Sequence, residues 1–143
     1  MGPAAKAVER KILLSTIWLF AVLNYLYCDV VSLMDSRLLG QYLSGTVNGM
    51  AITQGFLLGA GILVEIPMAM VVLSRVLKHR ANRAANVVAG IVMTLVQVAT
   101  LIVGRPAPYY VFFSVVEVAS SALVVWLAWR WREGEADRPA LHA

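Results

Sequence analysis

The sequence predicts an all-α protein of the membrane: a polytopic four-transmembrane-helix bundle, folded as one domain, with both termini cytoplasmic. Three observations carry that prediction. The first is composition. Of 143 residues, 60% are hydrophobic and only 14% are charged, where a soluble domain would carry about 25% charge; the mean hydropathy is +0.76. The second is pattern. Four apolar stretches, approximately 12–34, 50–74, 84–103 and 109–131, each approach or exceed the ~20 residues that a helix needs to cross a bilayer. The third is charge placement. Ten of the twelve Lys and Arg lie before the first stretch, between the second and the third, or in the flank at the end of the fourth, where Arg130 is its next-to-last residue, leaving Arg37 and Arg105 on the other side. An excess of Lys and Arg marks the cytoplasmic face. The net charge of +4 is therefore a topology signal. The expected partner is the lipid bilayer, and nucleic acid is not expected.

Each element follows from local sequence. Residues 1–11 read as a polar lead with Lys6, Arg10 and Lys11. The apolar run after it is too long for the 7–15-residue core of a signal peptide, so it reads as an uncleaved first span, interrupted by Asn24 and Asp29. The connection DSRLLGQYLSGTVNG (35–49) reads as a short surface helix. Asp35 or Ser36 is its cap, and Leu38, Leu39, Tyr42 and Leu43 share a face. Gly45 and Gly49 permit a turn into the second span. RVLKHRANR (75–83) reads as a basic connection, and GRPAP (104–108) as a tight loop whose prolines end one helix and start the next. Tyr109 and Tyr110 at one end of the fourth span, with Trp126, Trp129 and Trp131 at the other, fit interfacial belts. Residues 132–143 read as a flexible cytoplasmic tail.

The candidate site comes from the polar groups inside these spans: Asp29, Gln54, Glu65, Gln97, Glu117 and Asn24. Spacings of three and four residues place side chains on one face of a helix. By that rule Gln54, Leu58, Gly61 and Glu65 form one stripe. So do Asn86, Gly90, Thr94 and Gln97; Tyr110, Ser114, Glu117 and Ser121; and Trp18, Val22, Tyr25 and Asp29. Four such stripes predict a bundle with polar groups inward. At about 1.5 Å per residue, Gln54, Asp29 and Gln97 lie roughly 6–10 Å deep, Glu117 and Asn24 roughly 13–15 Å, and Glu65 roughly 22 Å. The expectation is a cavity open to the outside that narrows toward Glu65.

Intramembrane Gln, Asn, Ser and Thr often only link helices, at about 0.6 kcal/mol each. A charged group at a helix centre costs roughly 2.5–3.5 kcal/mol on insertion scales. Three carboxylates with no intramembrane Lys or Arg must be protonated, hydrated, or matched to a ligand cation. The leading reading is binding or transport of a small cationic or amphipathic molecule. A non-catalytic membrane subunit and a quinone-linked membrane enzyme are the alternatives. The sequence names no cofactor. The scattered methionines, and His79 with no second histidine at ligand spacing, suggest no metal site, and no nucleophile–base pair, phosphate loop or CxxC points to an enzyme. Cys28 has no second cysteine to pair with. Gly55 and Gly59 form a GxxxG, a close-packing motif that serves either the bundle or a homo-oligomer. Pro67 frees the carbonyl of Leu63 beside Glu65. Arg75, Lys78, Arg80 and Arg83 could meet anionic headgroups.

NYLYCDVVSLMD (24–35), TQGFLLGAGILVEIPMAMVVLS (53–74), RVLKHRANRAANVVAG (75–90) and YYVFFSVVE (109–117) together resemble a family of uncharacterised bacterial four-span integral membrane proteins. The resemblance covers nearly the whole chain and implies the four-span fold and a bacterial inner-membrane location. It carries over no catalytic residue. In architecture alone the chain is distantly similar to DoxX-like membrane proteins, some of which accompany quinone-linked oxidoreductases.

Overall fold

A computed structural model describes residues 3–103 and 106–131. It is helical, with five helices and one short hairpin: α1 (Pro3–Met34), α2 (Ser36–Leu43), β1 (Thr46–Val47), β2 (Met50–Ala51), α3 (Gln54–Val76), α4 (His79–Val103) and α5 (Pro108–Trp129). Four of the helices are long and apolar enough to cross a membrane. The predicted tail at 132–143 and the loop residues 104–105 lie outside the described residues.

Local chemistry sets most boundaries. α1 begins well before residue 12, because Ala, Glu, Lys and Arg in the polar lead are good helix formers. Asp35 caps α2, its carboxylate accepting from the amides of Arg37 at 2.9 Å and Leu38 at 3.4 Å. Leu38 and Tyr42 turn inward and are half-buried, but Leu39 and Leu43 are exposed, so the expected apolar face of α2 splits. The hairpin was not anticipated. Its turn is Asn48-Gly49, both at positive φ (49° and 82°), as a type I′ turn requires and as Asn-Gly favours. Val47 pairs with Met50 and Thr46 with Ala51. The Thr53 hydroxyl caps α3 by accepting from the Phe56 amide at 3.1 Å. The basic connection is nearly all helix. Only Leu77 and Lys78 separate α3 from α4, since Arg, Ala and Asn around 80–86 continue the helix rather than a loop. Pro108 starts α5 at a position where no amide hydrogen is needed.

The long helices form a ring. α1 packs on α3 and α5, α4 packs on α5, and α3 meets α4 less extensively. Leu14, Trp18, Ala21, Met70, Ala89, Met93, Val124 and Trp131 make the apolar core. α4 and α5 cross closely at Gly90, where a Cβ would stand 2.5 Å from Val125 Cγ2 and 3.1 Å from the Ser121 carbonyl oxygen. The GxxxG pair makes no such crossing: a Cβ on Gly59 would meet nothing within 4 Å.

Polar side chains tie the end where α1 begins and α3 finishes. Trp18 Nε1 donates to Asn86 Oδ1 at 2.7 Å, and Ser74 Oγ donates to the same oxygen at 3.2 Å. Asn86 Nδ2 donates to Asn82 Oδ1 at 2.6 Å, and Asn82 Nδ2 donates to the Ser74 carbonyl at 2.6 Å. Arg75 Nε reaches Ser15 Oγ at 2.9 Å, and Ser15 Oγ in turn donates to the Val71 carbonyl at 2.7 Å. Many large apolar side chains point outward, while asparagines, serines and a glutamate lie in the core. Lipid makes that inversion favourable, because outward apolar groups lose nothing there and polar groups must find partners inside.

Candidate functional site

The opposite end of the bundle holds a cavity of about 720 Å³. α3 stands off from its neighbours there, because its inward positions are Gly55, Gly59 and Ala60, with Phe56 and Leu63 flanking them. α4 supplies Val96, Ala99, Thr100 and Val103 to the wall. α2 and the hairpin fold over the mouth with Arg37, Tyr42 and Asn48, while Asp29 and Ser32 come from α1 and Tyr109 and Tyr110 from α5. The lid is braced locally: the Asn48 amide donates to Gln41 Oε1 at 2.8 Å, and the Ile52 amide donates to the Gly45 carbonyl at 2.8 Å.

The polar rim is partly satisfied. Tyr110 OH donates to Thr100 Oγ1 at 2.9 Å, and Thr100 Oγ1 to the Gln97 carbonyl at 2.8 Å. Gln97 Nε2 donates to Ser114 Oγ at 2.6 Å, which donates to the Tyr110 carbonyl at 2.7 Å. Tyr109 OH reaches Ser32 Oγ at 3.4 Å. Asp29 differs: it is exposed on the cavity wall, and its carboxylate has no hydrogen bond or ion pair among the described residues. Burial pushes the Tyr42 hydroxyl above its ordinary value, and the Asp29 carboxylate adds to that shift.

The six predicted residues divide into three groups. Asp29 lines the cavity. Asn24, Gln97 and Glu117 lie in the bundle interior, joined to other side chains: Asn24 Nδ2 donates to Glu117 Oε1 at 3.1 Å and to the Phe113 carbonyl at 3.2 Å. Gln54 and Glu65 depart from the expectation. Neither lines the cavity, nor do Leu58 and Gly61 of the same stripe. The cavity therefore does not narrow toward Glu65. The physical reason is that α3 turns Gly55, Gly59 and Ala60 toward the cavity, and a single residue is about 100° around a helix, so the neighbouring stripe of Gln54, Leu58, Gly61 and Glu65 points elsewhere.

A family of unknown function (DUF6326) matches residues 5–137. The chain belongs to this family. No curated protein matches it, and no solved structure does. Within this family member the sequence reasoning missed Arg37, Tyr42, Tyr109, Tyr110 and Thr100 as wall residues. Two signals pointed to them: the amphipathic α2 segment and the Asn-Gly turn, which together describe a lid rather than a loose connection.

Proposed function

We propose that the protein binds a small amphipathic molecule carrying a cationic group in the cavity at the Asp29 end. The observation that carries this reading is the Asp29 carboxylate, without a partner among the described residues, on the wall of a cavity whose apolar lining includes Phe56, Leu63, Val96 and Val103. Arg37 stands at the mouth of the same cavity but makes no ion pair with Asp29 among the described residues, so a ligand cation beside Asp29 supplies the charge partner. The apolar wall takes the rest of the molecule, and the tyrosine hydroxyls orient it, as in ligand sites that are mostly apolar with a few placed polar groups. Access from the bilayer fits the geometry, because among the described residues α3 and α4 are joined by side-chain hydrogen bonds at the far end, around Ser74, Asn82 and Asn86. Location in a bacterial inner membrane is part of the same proposal and rests on the family resemblance alone; the placement of both termini inside rests on the distribution of Lys and Arg.

Two probes of like shape and opposite charge test the binding reading: tetraphenylphosphonium and tetraphenylborate, titrated by calorimetry into the protein in nanodiscs and into empty nanodiscs. The phosphonium should bind above the lipid background, and Asp29→Asn should weaken it about tenfold, the equivalent of ~1.4 kcal/mol. Equal binding by wild type and Asp29→Asn sinks the reading. For orientation, cysteines at Ser44 and Arg80 in a Cys28→Ser background should react from opposite sides, and labelling of Arg80→Cys by an impermeant reagent in intact cells refutes it.

A further inference from the structure

We propose that a groove at the basic end of the bundle, between α4 and the end of α5, holds one phospholipid with a negatively charged headgroup. The groove has a volume of about 420 Å³, and its walls include His79, Arg80, Arg83, Val87 and Val88 of α4 and Trp129 of α5. It lies at the opposite end of the protein from the Asp29 cavity and shares no residue with it. These α4 positions lie on its outward side, because the inward side is given to the buried Asn82, Asn86, Ala89 and Gly90. Val88 and Trp129 are largely exposed, so the groove opens toward lipid.

The charge of the groove fits an anion. The Arg83 guanidinium lies over the Trp129 ring, 5.7 Å from its centroid, and has no hydrogen bond or ion pair among the described residues. Five N–H donors are thus held beside the ring with no acceptor from the described chain. A guanidinium can stack on an aromatic face and still present its fork to phosphate, which an ammonium cannot do. Arg80 lines the same groove, and no carboxylate does among the described residues. One turn earlier in α5 the pattern recurs, with Arg130 over Trp126 at 5.0 Å.

The rest of the groove fits an acyl chain. Val88 lies five residues beyond Arg83 in α4, about 7–8 Å deeper in the span at 1.5 Å per residue. A phosphate held at Arg83 therefore lays its apolar tail along Val87 and Val88. A soluble anion would use the basic rim alone, and the charged residues of 132–143 would gain nothing from two valines. The positive-inside pattern accounts for cations at this end, but any cation satisfies it. It does not call for an arginine seated on a tryptophan at the mouth of an apolar groove. Basic pockets beside spanning helices do take anionic headgroups.

Native mass spectrometry of the full chain in nonionic micelles tests the proposal. Dioleoylphosphatidylglycerol and dioleoylphosphatidylcholine share their acyl chains and differ in headgroup charge. The first should form a single adduct and bind about fivefold tighter than the second. Arg83→Lys keeps the charge, and with it the topology, yet should lower phosphatidylglycerol binding about threefold, and Trp129→Leu should do the same. Glycerol phosphate, which has the anion without the chains, should not displace the lipid. Equal binding of the two lipids, or an Arg83→Lys protein that holds phosphatidylglycerol as tightly as wild type, would reduce the groove to diffuse attraction between opposite charges and overturn the proposal. Displacement by glycerol phosphate would overturn it too, by making the groove a site for a soluble anion.

Discussion

At the Trp18 end of the bundle, side chains from α1, α3 and α4 are tied across the core, with Asn86 accepting from Trp18 and Ser74 and donating to Asn82. At the Asp29 end the same helices part around a cavity, and the carboxylate on its wall has no partner among the described residues. The difference lies in what α3 offers each end. From Pro67 to Ser74 its inward face is buried; from Gly55 to Leu63 it gives glycine and alanine to open space. Polar residues in a membrane bundle thus do two jobs. Where donors meet acceptors across the core, as from Trp18 to Asn86, they fix the helices, even though the buried Trp131 Nε1 at the same end has no hydrogen-bond partner among the described residues. Where one is left over beside a void, they offer a binding group.

The contrast predicts the largest loss of stability at Asn86. Asn86→Leu removes the acceptor for Trp18 Nε1 and Ser74 Oγ and the donor to Asn82, all buried. Each unsatisfied buried group costs about 1–3 kcal/mol, tempered in membranes to about 0.6 kcal/mol per average interhelical bond. A net loss of about 2–4 kcal/mol is expected, read as a lower midpoint in sodium dodecyl sulfate unfolding from mixed micelles. A loss no greater than that of an exposed substitution such as Val88→Ala would mean that the network is not what ties this end.

Gly90→Val should come next. Val125 is stiff at its branch point, so a side chain at 90 must push α4 off α5. Overpacking of this kind costs about 1–3 kcal/mol. An unchanged midpoint would show that the crossing is looser than its 2.5 Å approach indicates.

A smaller effect is expected from Tyr42 in the lid. Its folded-state pKa is raised above the ordinary 10.0, so its contribution to stability is present below that value and is lost as pH rises through the folded one. Tyr42→Phe should therefore flatten the alkaline limb of the stability profile and leave neutral pH untouched. An alkaline limb that is the same in both proteins would place Tyr42 in a more solvated setting than the lid provides.

Much of this was legible beforehand. Span number, the Asp35 cap, the Pro108 start and the inward polar stripes of α4 and α5 follow from length, capping chemistry and helical spacing. The phase of α3 did not. The rule that polar residues point inward fails at α3, which turns Gln54 and Glu65 away from the cavity while lining it with glycine. The Trp18 network was hidden for another reason. Asn82 lies in a run of basic residues that reads as a loop, and only once α4 begins at His79 does Asn82 stand one turn before Asn86. Ser15 and Ser74 carry no signal of their own, since a serine in a span is as often packing as hydrogen bonding.

Gly59 sharpens the contrast with the smallest expected effect on stability. Both Gly59 and Gly90 lie mid-helix, and replacing either by alanine favours the helix by about 0.5–1 kcal/mol. At Gly90 that gain is overwhelmed by the clash with Val125; at Gly59 no atom stands within 4 Å to oppose it. Gly59→Ala should therefore unfold at or slightly above the wild-type midpoint, and Gly59→Leu close to it. The leucine would occupy cavity volume beside Phe56 and Leu63 and should weaken tetraphenylphosphonium binding. The comparison breaks in a specific way if Gly59→Leu unfolds as readily as Gly90→Val. The GxxxG would then be a close helix contact, and the Asp29 end would be packed much like the Trp18 end.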